Sequence, residues 1–259
     1  KKFGSKVVRD LDMSASARMG RAKDMGYDTD NLYYHGTDVD IKEFRLPSRE
    51  TGQTKTVGTG SFLSSSPTVA SSYSPLKGGS AMPVYVNKSD YVTFTPQKKG
   101  QLWSRIDIAD LKAKGPDGNE IDAVDFLGLD RGDVAIEGGL HTTDEIARLA
   151  REKGVKGAVF EDVVDIGPQG YNYGSAKQLE NPSTIVVSFD PSSIRSKHAT
   201  FDPVAKGSAE ILKADGGPVN KIQDDGALQG IKDFFLEQMK RSGERTAQMA
   251  EAQTKLPTP

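Results

Sequence analysis

Glycine interrupts this sequence so often that its apolar runs stay short. The 259 residues include 27 glycines and 13 prolines, which mark turns and loops between brief ordered stretches. No apolar run approaches the roughly 18 residues that a membrane-spanning helix needs. The length suffices for one large domain, or for one domain with appendages. The sequence therefore predicts short strands and helices joined by many loops, and no membrane partner.

Charge and cysteine content exclude several classes of function. The 34 basic and 36 acidic residues give a net charge of −2, so no overall basic surface for nucleic acid is indicated. The chain contains no cysteine, which excludes disulfides, thiolate nucleophiles and cysteine zinc sites. The three histidines lack metal-ligand spacing, and Asp162 and Asp165 suggest a solvated strand end. No metal site is therefore expected.

Helices are predicted where capping residues precede helix-favouring segments. One helix is expected over residues 12 to 25, ending at Gly26. Another begins at Thr142 or Thr143 and ends at Gly154, with a buried apolar stripe. A short helix opens at Pro67, since proline suits a first helical turn.

Strands are predicted at residues 32–34, 62–64, 157–160 and 184–189, with two more inside 83–94. Residues 98–140 show no clear pattern. After Pro203 the composition changes, which predicts a Gly/Lys/Asp-rich linker at 204–225 and an amphipathic helix at 226–250. The chain begins without Met or a signal segment, so we expect it to be a piece of a longer polypeptide.

Two motifs near the first strands have the chemistry of a ligand pocket. One strand-like run ends in Tyr34–Thr37, and Gly58-Thr59-Gly60 precedes the next run, which leads through a short helix to Tyr73. An aromatic face attracts a cationic ring, a glycine backbone can approach an amide closely, and an imidazole can bind a hydroxyl. Taken singly, His35 fits a capped strand end and Tyr73 fits a core aromatic. Their order favours a pocket.

This spacing resembles the signature of ADP-ribosyltransferases of the diphtheria-toxin/poly(ADP-ribose) polymerase type. In that family an aromatic-His-Gly-Ser/Thr strand end precedes Gly-x-Gly, an aromatic residue and a stacking Tyr. The second half resembles the ADP-ribosyltransferase domains of bacteriophage polyvalent proteins. In both, a helix leads through two glycines, here Gly154 and Gly157, to a strand, and the last strand ends in Phe-Asp-Pro, here Phe189-Asp190-Pro191. The resemblance covers roughly residues 10 to 203.

The resemblance implies an α+β fold in which two small, mostly antiparallel sheets form an NAD-binding cleft with flanking helices. It divides the chain into an N-terminal helical segment at 1–28, an ADP-ribosyltransferase-like domain at 29–203, and a linker with a C-terminal amphipathic helix at 204–259. The expected core residues come from the strands: Phe62, Val84, Tyr85, Val86, Val159, Phe160, Val186 and Phe189.

The resemblance also implies NAD⁺ as substrate, with no metal. The residues expected to bind it are His35, Gly36, Thr37, Gly60, Phe62, Ser71 and Tyr73. His35 would orient the ribose, and Tyr73 would stack on the nicotinamide. The serine that holds the carboxamide in the polymerases is replaced by Ala70, so Ser71 or the backbone is expected to substitute.

The acidic residue of the family is missing from its usual place. The start of the last strand carries Ile185, or Thr184 after a one-residue shift, where the polymerases carry Glu. Glu180 is the candidate catalytic residue that could take this role. Gln178, just upstream, and the more distant Glu161 are the alternatives.

The implied function is mono-ADP-ribosylation of a host macromolecule, a protein first and nucleic acid second, with release of nicotinamide. Two alternatives stay open: an NAD⁺ hydrolase on the same fold, and a catalytically silent virion structural or interaction protein. The C-terminal helix is expected to dock on a partner or on the parent assembly. The expected location is the host cytoplasm, after delivery from a phage virion.

Overall fold

The computed structural model describes residues 11–37, 41–46, 59–73, 80–132, 134, 140–165 and 181–210. All of them belong to the first of two units into which the chain divides, Lys1–Ala214. Gly58, Gln178, Glu180 and the predicted C-terminal helix lie outside the described residues. Across the described residues no helix combines the length and apolar character needed to cross a membrane.

The helices with described boundaries are α1 (Ala15–Asp24), α2 (Pro67–Ser71), α3 (Ala123–Leu127) and α4 (Thr143–Glu152). Local chemistry determines where they begin. The Ser14 hydroxyl accepts a hydrogen bond at the start of α1, and Ser66 does the same for α2. At α4, for which the sequence left Thr142 and Thr143 as candidates, Thr142 is the N-cap and forms a reciprocal capping box with Glu145.

The strands are, in chain order, β1 (Tyr33–Thr37), β2 (Ser61–Ser64), β3 (Ser80–Val86), β4 (Tyr91–Pro96), β5 (Gln101–Leu102), β6 (Ile106–Asp107), β7 (Leu111–Lys114), β8 (Glu120–Asp122), β9 (Leu140–His141), β10 (Gly157–Val164), β11 (Ser183–Ser188) and β12 (Ile194–Ser196). One 10-stranded sheet runs in the order β12-β3-β1-β2-β11-β10-β4-β7-β8, with β5 on β10. Strands β6 and β9 form a separate pair.

The α+β class is observed, but the prediction of two small sheets is wrong. Pairing within the large sheet is mostly antiparallel, and only β10 runs parallel to its neighbours β4 and β5. Strands β12, β3 and β1 join the rest of this sheet because β1 pairs with β2, where Tyr34 lies opposite Ser64. Hydrophobic patterning identifies strands and their buried faces, but it does not show which strands become neighbours.

Alternate residues of the central strands face two separate hydrophobic clusters. Val92, Phe94, Ala158, Phe160, Ile185 and Val187 pack with α3 and α4. On the other side, Tyr91, Val159 and Val186 share a cluster with Tyr33, Val84, Val86 and Ile194 from the β12-β3-β1 part of the sheet. The two parts of the sheet therefore pack on a common core. Six predicted core residues are buried, while Phe62 and Tyr85 are partly buried.

Helix α1 packs against the segment that follows β12. Its end, with Ala22, Met25 and Tyr27, shares a cluster with Ala199 and Phe201. The guanidinium groups of Arg18 and Arg21 donate to backbone carbonyls of that same segment. The described part of the N-terminal region thus packs on the region containing the sheet, and the predicted domain boundaries stay a prediction.

Candidate functional site

His35 lies where two neighbouring strands separate. Strand β1 pairs with β2 only where Tyr34 lies opposite Ser64. Continuing that antiparallel register would place Gly36 opposite Phe62. Instead, the Nδ1 atom of His35 lies 2.8 Å from the carbonyl oxygen of Phe62. The imidazole therefore takes the place of a backbone partner, and no further β1–β2 pairing occurs among the described residues.

Past Tyr34, the side of β1 that faces β2 forms no further strand pairs with it. On its other side β1 stays paired with β3 as far as Thr37, which lies opposite Ser80. Gly36 and Thr37 are both partly buried, so their strand is neither fully enclosed nor fully solvated. Without a side chain on Gly36, a planar group could approach the backbone closely.

The hydrogen bond to Phe62 determines which ring nitrogen of His35 is protonated. A carbonyl oxygen can only accept, so Nδ1 carries the proton. Burial lowers the pKa of His35, and the bond to the Phe62 carbonyl only partly opposes this, so the ring is neutral at pH 7. Nε2 then carries a lone pair, and none of the described residues donates to it. The imidazole can therefore accept a hydrogen bond from a ligand hydroxyl.

Phe44 holds the imidazole from another direction. The two rings meet edge to face, with centroids 5.0 Å apart and an interplanar angle of 79°. Phe44 is itself buried in the cluster beneath β1 and β3. The orientation of His35 is thus defined by a hydrogen bond and by an aromatic contact, which suits a residue that must present one nitrogen in a fixed direction.

Tyr73 follows α2, and α2 packs against β1 and β3. Tyr73 is 40% exposed, and its hydroxyl donates to the carboxylate of Asp165 at 2.7 Å. Asp165 follows β10 and is only 5% exposed. The prediction of a solvated Asp165 is wrong, because the residue is buried and accepts a hydrogen bond from Tyr73. Sequence reasoning missed this pair, since no local signal links residues so far apart.

The glycine turn before β2 is attached to α4. The amide of Thr59 donates to Asp144 at 2.7 Å, and Arg151 donates to the Thr59 carbonyl at 3.2 Å. A Cβ on Gly60 would lie 2.3 Å from the carbonyl oxygen of Ser188. Gly60 therefore has a packing reason to be glycine, apart from any contact with a ligand.

Phe62 and Ser71 serve local roles among the described residues. The Phe62 ring packs against the cluster beside α3 and α4, while its carbonyl meets His35. The Ser71 hydroxyl donates back to the Thr68 carbonyl within α2 at 2.9 Å. Ala70 is buried. A carboxamide contact from Ser71 would require its hydroxyl to leave this bond.

The start of β11 carries no acidic side chain. Ile185 is 2% exposed and belongs to the cluster beside α3 and α4. Thr184 is partly exposed, and it exchanges hydrogen bonds with Ser65 at 3.0 and 2.9 Å. The Glu161 carboxylate accepts from Thr95 at 2.9 Å. Glu180 and Gln178 lie outside the described residues, so the acid is not located.

A cavity elsewhere in the described region does not coincide with these residues. It has a volume of about 190 Å³, and its lining includes Tyr27, Tyr91, Lys156 and Asp190, with none of the predicted site residues. The Tyr91 hydroxyl there is already bonded to Ser188 and to a neighbouring serine. Within the described part of the chain no three His, Asp or Glu side chains form a group that could hold a metal ion.

Comparison with known proteins identifies one match. The model of a protein family described as "ADP-Ribosyltransferase in polyvalent proteins" matches residues 29–201, about two thirds of the chain. The matched region begins before β1 and contains every predicted site residue. No curated protein and no solved structure gave a significant match.

Proposed function

Since the chain belongs to the family of ADP-ribosyltransferases in polyvalent proteins, we propose that it transfers single ADP-ribose units from NAD⁺ to a host macromolecule and releases nicotinamide. The observation that carries this proposal is the position of His35. Its protonated Nδ1 is bound to the Phe62 carbonyl, at the point where β1 and β2 separate. The remaining nitrogen is a hydrogen-bond acceptor beside the part of β1 that does not pair with β2.

NAD⁺ has three groups that suit this site. Its carboxamide can exchange hydrogen bonds with the Gly36 backbone, and its ribose hydroxyl can donate to Nε2 of His35. Its nicotinamide ring is cationic, and the exposed ring of Tyr73 attracts cations. Together these contacts would fix the ribose carbon C1′ for attack.

The reaction needs orientation more than acid–base chemistry. The bond between C1′ and the nicotinamide nitrogen breaks, and its electron pair neutralises the pyridinium, so the leaving group departs without a proton. The ribose then has oxocarbenium character, and a nucleophile of the acceptor forms the new bond to C1′. His35 and Tyr73 would lower the barrier mainly by holding the reacting atoms in place.

The residues at the start of β11 support single transfer. A sugar hydroxyl is too weakly acidic to attack without a base, so extension of a polymer requires a carboxylate near the acceptor. The described residues at this place are Ile185 and Thr184, and neither is a base. A carboxylate of the acceptor is already ionised near neutral pH and needs no base. We therefore propose Asp or Glu of a host protein as acceptor, with Glu180 as the candidate base for less acidic nucleophiles.

Labelled NAD⁺ tests this proposal. The full chain is incubated with labelled NAD⁺ and a lysate of the bacterial host, and modified species are identified by mass spectrometry before and after neutral hydroxylamine. Single units that hydroxylamine releases are expected, because it cleaves ester-linked ADP-ribose. Ladders of polymer would contradict single transfer. Single units that hydroxylamine does not release would indicate that the acceptor is Arg, Ser or a nucleobase.

One observation favours a second candidate. Ala70 and Ile185, at positions where the polymerases carry polar or acidic side chains, are both buried apolar residues. This pair fits a virion structural or interaction protein that keeps the fold without catalysis, and a failure to release nicotinamide would support it. An NAD⁺ hydrolase on the same fold would instead give free ADP-ribose and no labelled macromolecule.

A further inference from the structure

Arg195 is a buried cation that holds the segment following β12. It lies on β12 and is 4% exposed, and its guanidinium is 6.0 Å from the centre of the Tyr27 ring. Among the described residues its acceptors are all backbone carbonyls, those of Ile194, Ala205, Lys206 and Ser208. A buried charge requires such acceptors, because it has lost its contact with water. Arg195 therefore fixes residues 203–210, which we call the strap.

The strap connects Arg195 to the residue that packs on His35. It begins with the short 3₁₀ helix Pro203–Ala205, and its last residue, Glu210, forms an isolated antiparallel β-bridge with Glu43. Glu43 directly precedes Phe44, which is 4% exposed in the cluster beneath β1 and β3. Because the bridge holds the backbone next to Phe44, the position of the strap affects where the Phe44 ring lies.

Phe44 supplies the second of two contacts that orient the His35 ring. The hydrogen bond from Nδ1 to the Phe62 carbonyl fixes one atom, but a ring held at one atom can still turn about that bond. The edge-to-face contact with Phe44, at 5.0 Å and 79°, restricts the plane of the ring. If Phe44 moved, the ring could turn, Nε2 would change direction, and the bond to Phe62 would break more often.

We propose that Arg195 is a positioning residue for ADP-ribose transfer, which acts through the strap and Phe44 to fix the direction of Nε2 of His35. This inference rests on the proposed function, since it assumes that Nε2 meets a ribose hydroxyl of NAD⁺. The strap belongs to none of the strands β1–β12, so it can be released while the sheet stays paired. Loss of the Arg195 contacts should then disturb His35 without unfolding the domain.

Three substitutions in the full chain separate this role from general stability. Arg195→Met removes the guanidinium but fills its place with an apolar chain, so that no buried cation is left without acceptors. Phe44→Leu removes the ring contact and keeps an apolar residue in the cluster. Arg18→Met is the matched control: this guanidinium also donates to backbone carbonyls, at 3.3 Å each, but to Lys197 and Ala199, which precede the strap. Circular dichroism and thermal unfolding first establish that each variant is folded.

The first measurement needs no substrate. Nitrogen-15 NMR of the histidine-labelled chain gives the rate at which the Nδ1 proton of His35 exchanges with water, and His35→Asn identifies its signal among the three histidines. We expect exchange at least about tenfold faster in Arg195→Met and in Phe44→Leu than in the wild type, because the ring opens more often. Arg18→Met should exchange as the wild type does.

The second measurement is the release of nicotinamide from NAD⁺. We expect kcat/KM to fall about tenfold in Arg195→Met and in Phe44→Leu, since a misdirected group costs catalysis even where it remains present. If Arg195 acts through Phe44, the double variant should lose less than about twofold more than Phe44→Leu alone. Arg18→Met should keep the kcat/KM of the wild type.

Unchanged Nδ1 exchange in folded Arg195→Met would overturn the inference, as would a full further loss of kcat/KM when Arg195→Met is added to Phe44→Leu. Equal effects of Arg18→Met would overturn it too, because they would show general loosening. Should Arg195→Met unfold, Arg195→Lys carries the same test, since an ammonium lacks the planar fork that reaches several carbonyls. A wild type that releases no nicotinamide would overturn the proposed function and, with it, the role in transfer, whereas the exchange rates would still show whether Arg195 fixes His35.

Discussion

The Nδ1 atom of His35 donates to the Phe62 carbonyl at 2.8 Å, which leaves Nε2 as the only nitrogen that can accept from a ligand. His35→Asn separates donation to Phe62 from acceptance from a ligand. The asparagine amide can take the place of Nδ1 as donor, but the side chain has no atom at the position of Nε2. We expect His35→Asn to keep the stability of the wild type and to lose NAD⁺ binding. His35→Ala should lose binding and also about 1 kcal/mol of unfolding free energy.

Thermal unfolding and calorimetry with NAD⁺ check both variants. If His35→Asn bound NAD⁺ as tightly as the wild type does, Nε2 would have no role in the site. If His35→Asn were as unstable as His35→Ala, the bond to Phe62 would not be what holds the ring.

The lowered pKa of His35 predicts a pH dependence with a definite sign. Burial holds this pKa below its usual value of about 6.5, so near and below that pH the unfolded chain binds more protons at His35 than the folded chain does. Stability should therefore be fully present above about pH 6.5 and should fall as the pH drops toward the folded-state pKa. NAD⁺ binding should persist below pH 6.5, until the folded imidazole is protonated.

Unfolding and binding measured across this pH range test the prediction, with His35→Asn as the control that removes only this titration. Since the two proteins should be equally stable near pH 7, the wild type should become less stable than His35→Asn on acidification. A wild type that became more stable than this control as the pH fell would mean that the folded state favours the protonated ring, against the burial argument.

The two positions at the start of β11 should differ in how much stability an acidic side chain costs. Ile185 is 2% exposed in an apolar cluster, so Ile185→Glu would bury a carboxylate and should cost about 3 kcal/mol or more. Thr184 is partly exposed, and Thr184→Glu should change stability by less than about 1 kcal/mol. Denaturant unfolding measures both. Equal tolerance of the two substitutions would show that Ile185 is not a core residue.

The segment after β12 should be needed for stability as far as Glu210. The guanidinium of Arg195, which is 4% exposed, donates to the carbonyls of Ala205, Lys206 and Ser208. An isolated backbone β-bridge also pairs Glu210 with Glu43. Glu43 precedes Phe44, whose ring packs on His35. A chain ending at 210 should unfold like the longer chain. One ending at 202 should lose about 2 kcal/mol or more, because the buried guanidinium of Arg195 loses these three acceptors and keeps the Ile194 carbonyl.

Differential scanning calorimetry of the two truncated chains checks this boundary. Identical unfolding temperatures would show that residues 203 to 210 add nothing to the folded domain. A large loss in the chain ending at 210 would mean that residues beyond 210 help to cover the core.

Features that depend on neighbouring residues in the sequence could be predicted. Thr142 and Glu145 lie three positions apart and form the capping box of α4, and Pro67 opens α2. The two pocket motifs placed His35 and Phe62 in consecutive strand-like runs of the sequence, although their contact was not predicted. For the two helix starts, the determining chemistry lies within a few residues.

Features that depend on pairing between distant segments could not be predicted. The β1–β2 pair at Tyr34, through which β1 becomes part of one large sheet, was not indicated by the sequence. The hydrogen bond between Tyr73 and Asp165 joins residues that are 92 positions apart in the chain. Residues 98–140 contain short strands, such as β5 and β6, that are too short for their periodicity to be recognised.

The central claim is that His35 presents Nε2 to NAD⁺ in a catalytic site, and nicotinamide release tests it most directly. Wild type and His35→Asn, both verified as folded, are incubated with NAD⁺ and host lysate, and free nicotinamide is measured over time. We predict that the wild type releases nicotinamide and that His35→Asn releases at least about a hundredfold less. No release by the wild type, or equal release by the folded His35→Asn variant, would contradict the account.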